Sequence, residues 1–281
     1  MLAAHMDTLG AMVTEIKSNG RLKLTNVGGM NANNAEAENC RVFTRNGSQY
    51  DATFQLTGAS IHVNGEYSDT KRTYDTMEAI LDELVHSKED VEKLGVMPGD
   101  FVCFDPRTKV TDSGFIKSRF LDDKLSTAIL LGFAKYLKEE NVLPERTVYL
   151  LITSYEEVGH GCAYIPEEIE EFIAVDMGCI GKDLSSTERA VSICAKDSSG
   201  PYDYQMTTTL INLAKDNELS FAVDIYPFYS SDVSASLRGG QDIRGALIGP
   251  GVAASHGMER SHVDAVENTM KLLIAYVTKK D

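Results

Sequence analysis

Potential metal ligands follow three short apolar runs of the chain, at points where strands are predicted to end. His5 and Asp7 follow the first run, Glu156 and Glu157 follow the second, and Asp176 follows the third. Sites in open α/β sheets form in the crevice beyond the carboxyl ends of the strands. These side chains can therefore meet at one edge of a sheet although they are far apart in the sequence.

Such a group of carboxylates predicts a bound cation, because closely spaced negative charges repel one another unless a cation neutralises them. Asp122 and Asp123, at the start of a predicted helix, can join the group. Imidazole and carboxylate ligands without a thiolate suit Zn²⁺, Co²⁺ or Mn²⁺. Five ligands that include one bridging carboxylate can hold two ions about 3.5–4 Å apart, which lower the pKa of a bridging water and stabilise the oxyanion formed at a carbonyl. We therefore expect hydrolytic chemistry.

The adjacent carboxylates of Glu156 and Glu157 can divide two tasks between them. Only one needs to bind metal, and its neighbour is then free to take a proton from the water and pass it to the leaving amine. General base catalysis of this kind contributes about 10²–10⁴ in rate.

The elements that must position these residues have an α/β pattern from residue 119 onward. A helix with an apolar face over 125–137 precedes a buried-type strand at Val148–Thr153, and a second apolar run ends at Asp176. Helices are predicted at about Tyr204–Asp216 and Asp264–Thr278, with another strand at Ile243–Ile248. The alternation predicts a mixed, mostly parallel sheet covered by helices on both faces, which Leu2 to Met6 join.

The segment between residues 10 and 117 has a different pattern, with short strands separated by turn signals such as Ser18–Gly20 and Arg45–Ser48. This pattern is typical of a small β-barrel or sandwich. One helix lies within it, because Ser87 can cap a helix from Lys88 that ends before Gly95. We therefore predict a catalytic domain made of residues 1–9 and 118–281, with residues 10–117 inserted as a β-rich domain.

Composition excludes several classes of protein. The 281 residues are 43% hydrophobic, which is enough for a sizeable core, and the net charge of -15 disfavours nucleic acid and anionic membranes. Neither a membrane-spanning run nor a signal peptide is recognisable. The odd number of cysteines, without a Cys-x-x-Cys pair, argues against disulfides and thiolate zinc sites. A cytoplasmic protein is expected. The five cysteines are Cys40, Cys103, Cys162, Cys179 and Cys194.

Five motifs together resemble, in order and approximate spacing, those of the M42 family of metallo-aminopeptidases. They are Ala4–Asp7, Leu121–Lys124, Thr153–Gly159, Val175–Gly178 and Ser255–His262. The likeness covers nearly the whole chain, because Asn26–Gly29 and Gly95–Asp100 in the insertion are similar to parts of the family's dimerisation domain. The resemblance implies a zinc-exopeptidase-like fold with an inserted β-barrel that forms dimers and, through them, dodecamers.

The resemblance also implies a role for each site residue. Asp122 would bridge two divalent ions, His5 and Asp176 would complete one site, and Glu157 and His256 the other. In addition, Glu156 would be the general base, and Asp7 would orient His5. The implied reaction is the removal of N-terminal residues from peptides.

Three features of the sequence leave alternatives open. His262 competes with His256 as the last ligand, although it can instead cap the final helix. Only four residues precede His5, whereas family members carry some tens, so the chain is expected to lack the family's N-terminal segment. His160 and Tyr229 to Asp232 also depart from the family pattern, which can alter substrate preference.

Two alternatives to the aminopeptidase function stay open. One is a related two-metal deacylase or carboxypeptidase, and the other is a catalytically silent oligomeric scaffold.

Overall fold

The structure is a computed structural model that describes residues 1–280, and the chain separates into two compact units. Unit 1 consists of Met1–Thr8 together with the chain from Arg107 onward, and unit 2 is Leu9–Pro106. The site residues predicted from the sequence all lie in unit 1. Within the described residues, no helix combines the length and the apolar character needed to cross a bilayer.

Strands and α-helices are numbered separately in chain order. The strands are β1 (Leu2–His5), β2 (Gly10–Ile16), β3 (Leu22–Val27), β4 (Glu38–Phe43), β5 (Gln49–Leu56), β6 (Met77–Leu81), β7 (Phe101–Phe104), β8 (Lys109–Val110), β9 (Phe115–Ser118), β10 (Leu150–Thr153), β11 (Glu171–Val175), β12 (Gly178–Cys179), β13 (Val191–Asp197), β14 (Gly200–Pro201), β15 (Phe221–Ile225), β16 (Arg244–Val252) and β17 (Glu259–His262). The helices are α1 (Lys88–Lys93), α2 (Leu121–Glu139), α3 (Tyr204–Asp216), α4 (Asp232–Arg238) and α5 (Val263–Thr278).

Unit 1 is built on a mixed sheet with the strand order β10-β1-β11-β16-β13-β14, where β15 also pairs with β13 and β12 with β16. The pairs β1–β10, β1–β11 and β11–β16 are parallel, and β13 runs antiparallel to β16. The predicted mixed, mostly parallel sheet is therefore confirmed. The first residues of the chain join this sheet, as the sequence predicted, and β1 lies between β10 and β11.

Both faces of this sheet are covered by packed apolar side chains. Alternate residues of a strand point to opposite faces, so one strand contributes to both clusters. Ile173 and Val175 of β11 pack with Phe133 of α2 and Leu272 of α5 on one face. On the opposite face, Phe172 packs in a separate apolar cluster. That cluster contains Cys162, Ile165, Tyr226, Val233 and Leu247.

Two helices lie close to their predicted bounds because apolar periodicity and capping groups agree there. The Asp203 side chain accepts a hydrogen bond from the Met206 amide at the start of α3. At the start of α5, Nδ1 of His262 accepts from the Asp264 amide at 3.1 Å. His262 is therefore a helix cap, which was the alternative to its being a ligand.

Unit 2 is a closed barrel with the strand order β2-β3-β6-β5-β4-β7, and α1 is capped by Ser87 as predicted. Its interior is filled by buried apolar side chains such as Leu24, Val42 and Phe54. The unit ends at Pro106, about ten residues before the boundary expected from the sequence. The reason is that β8 pairs with β9, and β9 pairs with β17, so residues 107–117 belong to unit 1.

Candidate metal centre

Three neighbouring parallel strands bring the predicted site residues to one edge of the sheet. His5 is the last residue of β1, which lies between β10 and β11. Glu156 and Glu157 begin a short 3-10 helix just after β10, and Asp176 directly follows β11. Because the three strands run in the same direction, their carboxyl ends meet at this edge.

The backbone at Asp176 packs so closely against β16 that the adjacent residue of that strand must be a glycine. A Cβ atom on Gly249 of β16 would lie 1.3 Å from the Asp176 carbonyl oxygen. The lack of a side chain at Gly249 therefore lets the backbone carrying Asp176 pack against β16.

Asp122 lies between the two predicted histidine ligands, with one oxygen toward each. Oδ1 is 3.1 Å from Nε2 of His5, and Oδ2 is 3.5 Å from Nε2 of His256. The same His256 nitrogen is 3.6 Å from Oε2 of Glu157. Two ligand atoms that bind one zinc ion at about 2.0–2.2 Å lie roughly 3–3.5 Å apart, so these separations suit shared coordination.

Two groups of possible ligands have ligand atoms that lie within 4.8 Å of one another. The first group consists of His5, Asp122 and Glu157, and the second consists of His5, Asp123 and Asp176, which are all buried. Asp123 was not among the five predicted ligands. Its Oδ2 accepts a hydrogen bond from the His5 amide at 3.2 Å, so it also fixes the backbone at His5.

Asp7 contacts both the His5 ring and the backbone of the two glutamates. One of its carboxylate oxygens is 3.4 Å from Nδ1 of His5, and its backbone carbonyl is 3.2 Å from the same nitrogen. The two carboxylate oxygens also accept the backbone amides of Glu156 and Glu157, at 3.3 and 3.2 Å. The Asp7 side chain therefore contacts both the His5 ring and the turn that carries the two glutamates.

The electrostatics of the site follow from the burial of many negative charges together. Burial, and then the charge of Asp176, raise the pKa of Glu156 to about 9. Burial and the charge of Asp122 raise the pKa of Glu157 to about 10 and that of Asp176 to about 7. In the absence of cations, several of these carboxyl groups therefore keep their protons near neutral pH.

His5 and Asp122, at the centre of the site, stabilise each other's charged forms as an ion pair. Burial lowers the pKa of His5, but its hydrogen bonds with Asp122 and Asp7 raise it well above the usual range. Burial opposes ionisation of Asp122, yet the imidazoles of His256 and His5 hold its pKa well below the usual range. In the metal-free chain the protonated His5 imidazole thus balances part of the negative charge of the cluster.

The residues present fit divalent metal ions. Among the residues that the structure describes, Oδ1 of Asp123 and Oε1 of Glu157 are buried without a hydrogen-bond partner. Buried polar atoms without a partner are costly, and a cation would satisfy both oxygens. The donor set of imidazole and carboxylate, without thiolate, suits Zn²⁺, Co²⁺ or Mn²⁺.

The remaining predicted residues are also accounted for. The His256 ring is 39% exposed, so it closes the cluster on the side that faces solvent. His160 stacks on Tyr155 with ring centroids 4.9 Å apart, next to the two glutamates.

Sequence reasoning missed Glu259, whose buried carboxylate accepts hydrogen bonds from the backbone amides of Asp122 and His256. No local pattern identifies the contact with Asp122, because it joins residues 137 positions apart.

Comparison with known proteins identifies the family of the chain. The profile of the family described as M42 glutamyl aminopeptidase matches residues 1–272. The Bacillus subtilis (strain 168) protein named "Putative aminopeptidase YhfE" is 47% identical over 278 residues, which are 99% of this chain and 80% of that protein.

Two solved structures share the fold. The TET aminopeptidase of the marine sediment archaeon Thaumarchaeota archaeon SCGC AB-539-E09 has a TM-score of 0.87 at 18% identity, with 100% of this chain and 81% of that one covered. The TET1 peptidase of Pyrococcus horikoshii, described as assembling into a tetrahedron or a large octahedral shell, has a TM-score of 0.83 at 23% identity, with 99% and 83% covered.

Proposed function

The chain belongs to the M42 family of aminopeptidases, which are metal-dependent hydrolases of peptide bonds, and on that premise we propose that it removes N-terminal residues from peptides with two divalent ions. The proposed ligands are His5, Asp122, Glu157, Asp176 and His256. One observation carries the proposal: the two oxygens of Asp122 face two different imidazoles, at 3.1 and 3.5 Å. A carboxylate in this position suits a bridge between two ions.

When bound, the ions would supply a Lewis acid for the carbonyl of the scissile peptide bond and would lower the pKa of a water molecule at the site. Zinc or cobalt suits the donor set best, and manganese is the third candidate. Asp123 lies with His5 and Asp176 in a group of possible ligands, so it is either a further ligand or a support for His5.

Glu156 is the proposed general base. Its Oε2 is 3.7 Å from Nε2 of His5, which places the carboxylate beside the ligand cluster. Burial and the charge of Asp176 raise the pKa of Glu156 to about 9 in the metal-free chain, and the positive charge of bound ions would lower that pKa and leave the carboxylate free to accept a proton. In the proposed reaction the Glu156 carboxylate takes a proton from the attacking water and then passes that proton to the nitrogen of the leaving amine.

Asp7 supports this base rather than taking part in the proton transfer. Through its hydrogen bonds to the amides of Glu156 and Glu157, it holds the base and the neighbouring ligand in one fixed arrangement. Through Nδ1 of His5, it favours the tautomer that leaves Nε2 available for coordination. A single carboxylate thus aligns three of the proposed functional residues.

The proposed enzyme works as a homo-oligomer in the cytoplasm. The TET1 peptidase is described as assembling into a tetrahedron or a large octahedral shell, and unit 2 of this chain exposes several large apolar side chains that an interface could cover. They include Ile61, Val63 and Leu84. All five cysteines are free, which fits a reducing compartment. Native mass spectrometry tests the assembly: dodecamers or dimers support it, and a monomer contradicts it.

The peptidase activity is tested with matched peptides that differ only in a free or an acetylated amino terminus. An aminopeptidase releases the first residue of the free peptide and leaves the acetylated peptide intact. Cleavage of the acetylated peptide at the same rate would contradict the proposal, and would favour a deacylase or an endopeptidase that uses the same ions.

A further inference from the structure

We infer that Glu259 is a positioning residue that fixes the distance between the Asp122 carboxylate and the His256 imidazole. This inference rests on the proposed function, because it concerns two of the proposed ligands. Glu259 contacts the backbone of both residues and acts through them, without being a ligand itself.

The contacts of Glu259 form a fork. Its Oε2 accepts the Asp122 amide at 3.0 Å, and its Oε1 accepts the His256 amide at 2.9 Å. Because each oxygen holds a different segment, the separation of the two segments is set by one rigid carboxylate group.

The Glu259 side chain is itself fixed in place. It is 2% exposed, and its residue is the first of β17. In the antiparallel pair of β17 with β9, Glu259 stands opposite Ser118, just before the start of α2 at Leu121. The strand pairing therefore brings the carboxylate to the residues that lead into Asp122.

The backbone at both contacts has an uncommon conformation. Phe120, directly before the Leu121 and Asp122 amides, has φ of +65°, and His256 has φ of +63°. Residues other than glycine rarely adopt a positive φ, and those that do are held in this conformation by the surrounding structure. The hydrogen bonds from the amides to Glu259 supply that constraint at the two segments that present Asp122 and His256.

The side chain of His256 depends on this constraint. Its ring is 39% exposed, and it reaches Asp122 and Glu157 at 3.5 and 3.6 Å. A partly exposed ring has less packing to fix its position than the buried His5 ring has. The Glu259 contact to its backbone therefore matters most for the part of the site that His256 completes.

The test compares Glu259→Gln with Glu78→Gln in the full chain. A glutamine has one oxygen acceptor and one amide donor, so it cannot accept from both segments. Glu78 is a matched control, because it is also buried but binds Lys17 and Arg21 in unit 2. It reports what the loss of a buried carboxylate does to the protein in general.

The first measurement is hydrogen exchange of the metal-free variants. We expect Glu259→Gln to speed exchange about tenfold or more in peptides that cover 119–124 and 253–258, because the amides of Asp122 and His256 lose a shared acceptor. Glu78→Gln should leave both peptides unchanged. Unchanged exchange in Glu259→Gln would overturn the inference.

The second measurement is titration with Co²⁺, followed by its visible absorption. We expect Glu259→Gln to weaken Co²⁺ binding by about 10–100-fold and to alter the spectrum, as is usual when a group that orients a ligand is changed. A wild-type affinity and spectrum in this variant would overturn the inference. If the wild-type chain itself binds no Co²⁺, the proposed function fails, and hydrogen exchange alone decides the role of Glu259.

If Glu259→Gln does not fold, Glu259→Asp takes its place. The shorter side chain keeps the charge but cannot span both segments, so protection should be lost at one segment and kept at the other. Full protection at both segments would overturn the inference.

Discussion

The Nε2 atom of His5 lies 3.1 Å from Oδ1 of Asp122, and these residues are 117 positions apart in the sequence. The other oxygen of the same carboxylate faces His256 at 3.5 Å. A carboxylate that faces an imidazole on each side is suited to join two ions, and this arrangement makes Asp122 the central residue of the proposed site.

Asp122→Asn should remove this link while keeping the size of the side chain. The amide nitrogen cannot coordinate a cation, so we expect binding of fewer than two ions per chain and a loss of at least about 10³-fold in kcat/KM. Isothermal titration calorimetry gives the number of ions bound. The control is Asp112→Asn, at an exposed position of unit 1. Two ions bound by Asp122→Asn with unchanged affinity would contradict the bridging role.

Metal affinity should rise with pH. In the metal-free chain the pKa is about 7 for Asp176 and about 10 for Glu157, so both carboxyl groups hold protons that a cation must displace. Binding therefore releases protons, and it strengthens from about pH 6 to about pH 8.5. Calorimetry in two buffers of different ionisation enthalpy measures the proton release. An affinity that does not change over this range would contradict the account.

Stability of the metal-free protein should fall as pH rises. Glu156 and Glu157 have ordinary pKa values of 4.5 and raised values of about 9 and 10 in the folded chain. Above their ordinary values the folded chain binds more protons than the unfolded chain, so their contribution is present at low pH and is lost as pH rises toward the folded values.

The measurement is the melting temperature in the presence of a chelator, at about pH 6 and about pH 8.5. We expect a decrease of about 5 °C or more, since 1 kcal/mol shifts Tm by about 2–4 °C in domains of 150–250 residues. Saturating metal should reduce this difference, because the bound carboxylates are then ionised at both pH values. Equal pH dependence with and without metal would argue against a cation in this cluster.

Asp7→Asn should weaken catalysis without abolishing metal binding. The asparagine keeps one acceptor oxygen and can no longer receive the amides of both Glu156 and Glu157, which Asp7 accepts at 3.3 and 3.2 Å. We expect kcat to fall by about 10–100-fold with a smaller change in KM. Steady-state kinetics with a free-amino-terminus peptide checks this, and an unchanged kcat would refute the supporting role of Asp7.

Part of the proposed site could be predicted from sequence because several of its residues stand at strand ends. Apolar runs before His5, Glu156 and Asp176 indicate strands, and parallel strands bring their carboxyl ends together by a general rule of α/β sheets. The choice between His256 and His262 was also open to argument, since a histidine just before an amphipathic helix can cap it. The Asp264 amide does donate to His262.

Contacts between distant segments could not be predicted in the same way. Asp123 is buried and Oδ2 accepts the His5 amide, but its sequence position next to Asp122 is equally consistent with an acidic helix start. Glu259 follows His256 by three residues, so its contact with the His256 amide is local, but its contact with the Asp122 amide joins residues 137 positions apart, and no periodicity marks that contact. The division after Pro106 lies about ten residues before the predicted domain boundary, and it depends on the pairing of β9 with β17, which are far apart in the sequence.

Glu156→Gln tests the central claim most directly, with aminoacyl-p-nitroanilides as substrates. The variant keeps all five proposed ligands and lacks only the carboxylate that accepts the proton. We predict that it binds two ions per chain like the wild type, while kcat falls by about 10²–10⁴-fold, and that wild-type turnover is lost on chelation and restored by Co²⁺ or Zn²⁺. Wild-type turnover by Glu156→Gln, or activity that survives complete removal of metal, would contradict the proposed mechanism.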